Sequence, residues 1–87
     1  MKSVVIIGAT SAIAQAIARN HAVLKHRLFL VGRSGGRLRA IADDLIVRGA
    51  AECHIHSLDL TITDEHEMLW NTVYEQFPKP DFAYIAH

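Results

Sequence analysis

One cysteine, two prolines and no surplus of either charge are what this 87-residue sequence is short of. Cys53 has no second cysteine in the chain to pair with, so a small scaffold stapled by internal disulfides is excluded. Nine Lys and Arg against nine Asp and Glu leave a formal net charge of zero. Without a charged footprint, neither nucleic acid nor an anionic membrane is expected as a partner. Long hydrophobic runs are missing too. The stretch from Val4 to Gly8 is five residues, too short for a signal-peptide core or a membrane span. What the chain does have is apolar side chains, 51% of all residues against 21% charged, which is the opposite of a disordered composition. The expectation is a small, neutral globular unit covering residues 1–87, of cytoplasmic character.

The punctuation along the chain is regular. Ser3-Val4-Val5-Ile6-Ile7 is β-branched and lacks alternation, as a parallel strand covered on both faces does, and it stops at Gly8. From Ser11 the period becomes helical, with an apolar stripe of Ile13, Ile17, His21 and Leu24 recurring every three or four residues among helix-favouring alanines. Leu28-Phe29-Leu30-Val31 is a second strand, closed by Gly32. Ser34 is placed to cap a helix with stripe Leu38, Ile41, Leu45 and Ile46, and Gly49 to end it. A more polar strand starts at Glu52 and runs through Leu58. Asp64 and Glu67 resemble a capping box ahead of the stripe Leu69, Val73 and Phe77, and Pro78 and Pro80 stop that helix. Phe82 to Ala86 reads as a fourth strand. The order is therefore βαβαβαβ, which argues an α/β fold with a doubly wound parallel sheet and right-handed crossovers. No linker, charge run or low-complexity tract divides it.

The segment Gly8-Ala9-Thr10-Ser11-Ala12-Ile13-Ala14 joins the first strand to the first helix. In an open α/β sheet phosphates bind at this place, where a helix presents unpaired N–H groups and the positive end of its dipole. Small residues let the backbone come close to a pyrophosphate, and the hydroxyls of Thr10 and Ser11 can donate to its oxygens. It is not a Walker loop, since no Gly-Lys-Ser/Thr follows. The same residues also suit an ordinary tight turn capped by Ser11 or Thr10.

A second signal follows the second strand, at Val31-Gly32-Arg33-Ser34. A dinucleotide fold places an acidic residue about 20 positions past the glycine-rich turn to hold the ribose 2′-hydroxyl of NAD, whereas an arginine suits the 2′-phosphate of NADP. Arg33 stands 19 positions after Ala14 with no carboxylate beside it, and Arg37 adds charge from the next helical turn. NADP is thus preferred over NAD. The bland reading of Arg33 is a solvated surface side chain.

These residues resemble the opening of a short-chain dehydrogenase/reductase. That family begins with a strand and Thr-Gly-x-x-x-Gly-x-Gly; Gly8 matches its first glycine, Ala12 and Ala14 stand at the later two, and Ile7 replaces the threonine. Arg33-Ser34 is similar to the NADP-preferring form of the family. Leu58-Asp59-Leu60-Thr61 resembles its stretch after the third strand, where Asp59 would meet the adenine amine and Leu60 flank the ring. Tyr84-Ile85-Ala86-His87 occupies the place of Asn-Asn-Ala-Gly, with Ala86 where a supporting asparagine would be. The resemblance implies a partial Rossmann fold, a four-stranded parallel sheet in the order 3-2-1-4. It implies a cofactor site of Gly8, Thr10, Ser11, Ala12, Ile13, Arg33, Ser34, Asp59, Leu60 and Ala86. It also implies that the family's catalytic Ser and Tyr-x-x-x-Lys belong to the second half of the fold, past His87, so no catalytic residue is assigned. The function implied is the NADP(H)-binding N-terminal portion of an oxidoreductase. The alternative is a non-catalytic nucleotide-binding or interaction module, or a fragment that binds nothing.

Three smaller readings complete the sequence. Cys53, His54 and His56 cluster, but no further ligand stands at metal spacing, and no metal is expected. A response-regulator receiver is suggested by Asp59 and disfavoured by the absence of acidic residues after the first strand. Finally, a fourth strand at the sheet edge would expose unpaired backbone groups on an apolar run, which is expected to recruit a second copy into a homodimer.

Overall fold

The computed structural model describes residues 2–58, 71–73, 75, 77 and 79–85. Six elements have defined bounds: β1 (Ser3–Ile7), α1 (Ala12–Val23), β2 (Arg27–Gly32), α2 (Gly35–Arg48), β3 (Glu52–Ser57) and β4 (Phe82–Ile85). Asn71, Thr72 and Val73 are also helical. Asp64, Glu67 and Leu69, which the sequence places in or ahead of that helix, lie outside the described residues, as do Pro78 and Ala86.

The strands form one sheet in the order β3-β2-β1-β4, all pairs parallel, as the family resemblance implies. Its core explains why β1 and β2 read as unbroken apolar runs. Successive side chains point to opposite faces, and both faces are covered. Val4, Ile6, Leu28 and Leu30 pack with the helix residues Ala14, Ala18, Ala22, Leu38, Ala42 and Leu45. Val5, Ile7, Phe29 and Val31 pack on the other side with Leu58, Val73 and Phe77. Each such buried Val, Ile, Leu or Phe contributes about 1.5–3 kcal/mol relative to exposure.

The inward face of α1 differs from the expected stripe. Ile13 and Leu24 are 74% and 63% exposed, and the residues against the sheet are Ala14, Ala18 and Ala22, flanked by Ile17 and His21. Methyl side chains let the helix axis lie close to a sheet whose own side chains are branched and large, so the phase that buries alanine wins over the one that buries isoleucine. In α2 the same choice replaces Ile46, which is exposed, by Ala42.

Both helices end in the same backbone device. In α1 the amide of Lys25 donates to the Ala22 carbonyl and that of His26 to the His21 carbonyl; in α2 Gly49 donates to Ile46 and Ala50 to Leu45. This is the paired bonding of a Schellman motif, which needs a positive φ at the turning residue. Gly49 supplies it at 121° without strain, but Lys25 adopts φ 62° with a Cβ. At the start of β4, Asp81 closes the sheet on Ser3: its carboxylate accepts the Ser3 amide and its own amide donates to the Ser3 carbonyl, both at 2.8 Å. Among the described residues no helix is long and apolar enough to cross a membrane.

The two helix ends predict opposite responses. Lys25→Gly should raise stability by about 0.5–1 kcal/mol by removing left-handed strain. Gly49→Ala should lower it by at least about 1 kcal/mol, since a Cβ there meets the Ala22 carbonyl oxygen at 3.1 Å. Urea denaturation of the two variants checks this; equal effects of one sign would contradict it.

Candidate functional site

The loop after β1 is fixed to the end of β2 before it enters α1. The amides of Gly8 and Ala9 both donate to the Val31 carbonyl, at 2.8 and 2.9 Å. Gly8 turns there with φ 81°, a conformation in which a side chain is strained. The Ser11 amide then donates to the Gly8 carbonyl at 3.2 Å, and Gln15 Nε2 holds the Thr10 carbonyl at 2.9 Å. Thr10 lies against β2: a Cβ on Gly32 would stand 3.5 Å from its methyl group and 3.2 Å from Leu38 Cδ2. A bare residue at 32 is what allows loop and strand to approach.

Ser11 is the N-cap of α1, its Oγ accepting the Ala14 amide at 3.1 Å. The cap and the phosphate-donor readings of this residue are compatible, because an oxygen that accepts keeps its own O–H to donate. Of the amides that open the helix, Ala14 is satisfied by Ser11 Oγ and Gln15 by the Ser11 carbonyl. Those of Ala12 and Ile13 have no acceptor among the described residues, as the first turn of a helix requires. Neither α1 nor α2 has an acidic residue in its first turn, so nothing there cancels the positive end of the dipole.

Arg33 and Ser34 follow β2 on the same rim. Ser34 caps α2, its Oγ accepting the Arg37 amide at 3.3 Å. The Arg33 carbonyl accepts Ser57 Oγ at 2.9 Å and the Gly32 carbonyl accepts the Leu58 amide at 2.7 Å, so the end of β3 is tied to the end of β2. Arg33 and Arg37 themselves are exposed. The structure thus brings Gly8, Thr10, Ser11, Ala12, Ile13, Arg33 and Ser34 to the carboxyl ends of adjacent strands. Asp59, Leu60 and Ala86 lie outside the described residues; Leu58, just before them, is buried.

The sheet order reverses between β1 and β4, and crevices at such a switch point bind ligands in open α/β sheets. A cavity of about 430 Å³ opens there, lined by Ser11, Ala12, Ile13, Ile17, Tyr84 and Ile85. Ile13, exposed on the helix, forms part of its wall. Ile17 and Tyr84 were not assigned to a site from sequence. The signal for Tyr84 was its parity with Phe82, which puts both on the α1 side of β4.

Cys53 and His54 do not share a face of the sheet. Cys53 packs with the α1 and α2 side of the sheet, while His54 lies against Phe29 and Phe77 on the other. Burial pushes the Cys53 thiol up to about 12, so it is no thiolate at neutral pH. Among the described residues no three His, Cys, Asp or Glu side chains are grouped to hold a metal ion.

No protein-family model and no curated protein matches the chain. Solved structures do. An alcohol dehydrogenase from the archaeon Thermococcus sibiricus, complexed with 5-hydroxy-NADP, is 37% identical over 95% of this chain and 35% of its own, with a TM-score of 0.85. A metagenomic short-chain oxidoreductase in complex with NADP is 28% identical over 94% of this chain and 37% of its own, again at 0.85. L-Sorbose reductase from Gluconobacter frateurii, complexed with NADPH and L-sorbose, is 26% identical over 94% and 31%, at 0.83. The chain therefore spans about a third of the length of these structures. What it shares with them, over nearly all of its own length, is the N-terminal portion of the short-chain dehydrogenase/reductase fold.

Proposed function

We propose that this chain is the NADP(H)-binding N-terminal portion of an oxidoreductase of the short-chain dehydrogenase/reductase type. The observation that carries the reading is the Gly8–Ser11 loop, fixed to the Val31 carbonyl, with the Ala12 and Ile13 amides open beside an arginine-bearing rim. It is supported by the cofactors named for the similar structures, NADP and NADPH. The residues fit such a group. The Ala12 and Ile13 amides and the Ser11 hydroxyl donate to the pyrophosphate, small side chains at 8, 9 and 12 allow its approach, and Arg33 with Ser34 meets the 2′-phosphate. Asp59 meets the adenine amine and Leu60 flanks the ring, with Ala86 at the place of the family's supporting asparagine. When bound, the cofactor supplies a hydride; the work of these residues is to hold and orient it. The serine, tyrosine and lysine that would use it are assigned to the remainder of the fold, and residues 1–87 to a single Rossmann-type unit.

Two further assignments accompany this reading. A cytoplasmic location suits the one unpaired cysteine. A homodimer through the sheet edge suits β4, which pairs with β1 on one side, with Ala83 exposed and Ile85 63% exposed.

Arg33→Ala tests the cofactor choice. A charge-assisted guanidinium–phosphate contact is worth about 1.5–3 kcal/mol, so NADPH affinity should fall roughly tenfold or more, with NADH affinity little changed. Calorimetric titration with both cofactors decides, and equal losses would refute the assignment. Ile85→Lys tests the dimer: sedimentation equilibrium should show a concentration-dependent dimer that the variant shifts to monomer. A parent chain that is monomeric at every concentration would contradict the edge pairing.

A further inference from the structure

Behind the crevice wall, three elements meet at a group of rings that cofactor binding does not use. Nδ1 of His21, in the last turn of α1, lies 3.0 Å from Nδ1 of His26, which follows the helix-ending turn. On its other side Nε2 of His21 lies 3.0 Å from the hydroxyl of Tyr84 on β4. Both histidines are buried. Phe82 closes the group, its ring centroid 5.0 Å from that of His21 and 6.5 Å from that of His26. The titratable groups that face His21 are thus His26 from the turn and Tyr84 from β4. Lys2, ahead of β1, sits beyond them, its ammonium 5.5 Å from the Phe82 ring centre. No carboxylate among the described residues pairs with either imidazole.

Counting protons shows what this arrangement tolerates. With both imidazoles neutral, both contacts can be hydrogen bonds. Either His21 Nδ1–H donates to His26 while Nε2 accepts the Tyr84 O–H, or His26 donates to His21 and His21 Nε2–H donates to Tyr84. One added proton still fits, because a His21 imidazolium donates on both sides. A second does not, since it turns two Nδ1–H groups toward each other across 3.0 Å. The contact must then open, and burial makes even the first charge unfavourable.

We propose that His21, His26 and Tyr84 form a proton-sensitive latch, which holds β4 against α1 at neutral pH and releases it on mild acidification. Release matters for the crevice because Tyr84 and Ile85 form its wall on the β4 side. The latch is independent of what the crevice binds. Its direction follows from the His21 pKa, which burial and then the neighbouring His26 hold below 6.5. The unfolded chain takes up that proton first, so stability is full above about pH 6.5 and falls as pH drops below it.

The test follows the full chain from pH 7.5 to 5.5 by amide hydrogen exchange and urea denaturation, beside His26→Gln. Glutamine retains a hydrogen-bonding partner for His21 but cannot take up a proton. In the parent, protection of the β4 amides should fall before that of β2, and the folding constant should drop by about tenfold across this range. In His26→Gln the drop should shrink, because the charge that adds to burial in holding the His21 pKa down is gone. A pH dependence unchanged by His26→Gln, or β4 protection that does not vary with pH, would overturn the latch. Should the variant fail to fold, nitrogen-15 spectra of the parent imidazoles decide: His21 and His26 both charging near pH 6.5 with β4 still protected would overturn it equally.

Discussion

One carbonyl oxygen organises the crevice. Val31, at the end of β2, accepts the amides of both Gly8 and Ala9, using the two lone pairs a carbonyl offers. With that oxygen fixed, the chain leaving β1 must turn at once, which Gly8 does at a positive φ. The turn sets where Ser11 falls, Ser11 caps α1, and the cap decides which amides of the first turn remain open. Thr10, packed toward Gly32, holds the same loop from the other side. Sequence, turn geometry and anion-binding capacity are here one chain of cause.

The rest of the fold keeps that carbonyl in place. β1 and β2 are buried on both faces, so their register cannot slip by one residue without exchanging two apolar surfaces. The alanine face of α1 lets the helix lie close to the sheet, and the ends of α1 and α2 touch where Gly49 meets Ala22. At the opposite rim, Arg27 spans from the Ser3 hydroxyl at 2.7 Å to the Phe77 ring at 4.9 Å, closing the second core cluster. The sheet edges are less protected. β3 is polar and half-buried, and β4 is four residues long, held by β1, by Asp81 and by the histidine–tyrosine group.

Much of this was legible in the residues. Unbroken apolar runs, β-branched in β1, gave β1 and β2 their parallel, doubly covered character. Ser11, Ser34 and Gly49 marked helix ends that the structure places where capping chemistry puts them. The strand order came from the family resemblance alone, since pattern and spacing do not distinguish one parallel order from another. The face of α1 departs from its hydrophobic stripe for a physical reason: hydrophobicity ranks Ile13 above Ala14, whereas close helix-to-sheet packing ranks them by size. The latch was invisible because His21, His26 and Tyr84 are brought together by the sheet, 63 positions separating the first from the last. Lys25 at a positive φ was hidden likewise, because glycine is the residue that signals such a turn.

The account rests on the Ala12 and Ile13 amides being the anion site of this chain, and amide-resolved NMR titration with NADPH reads them directly. Their resonances, with those of Ser11 and Arg33, should move most and saturate together, while Val47, exposed at the end of α2 away from the site, stays still. Shifts spread evenly over the chain, or concentrated away from the loop after β1, would contradict it.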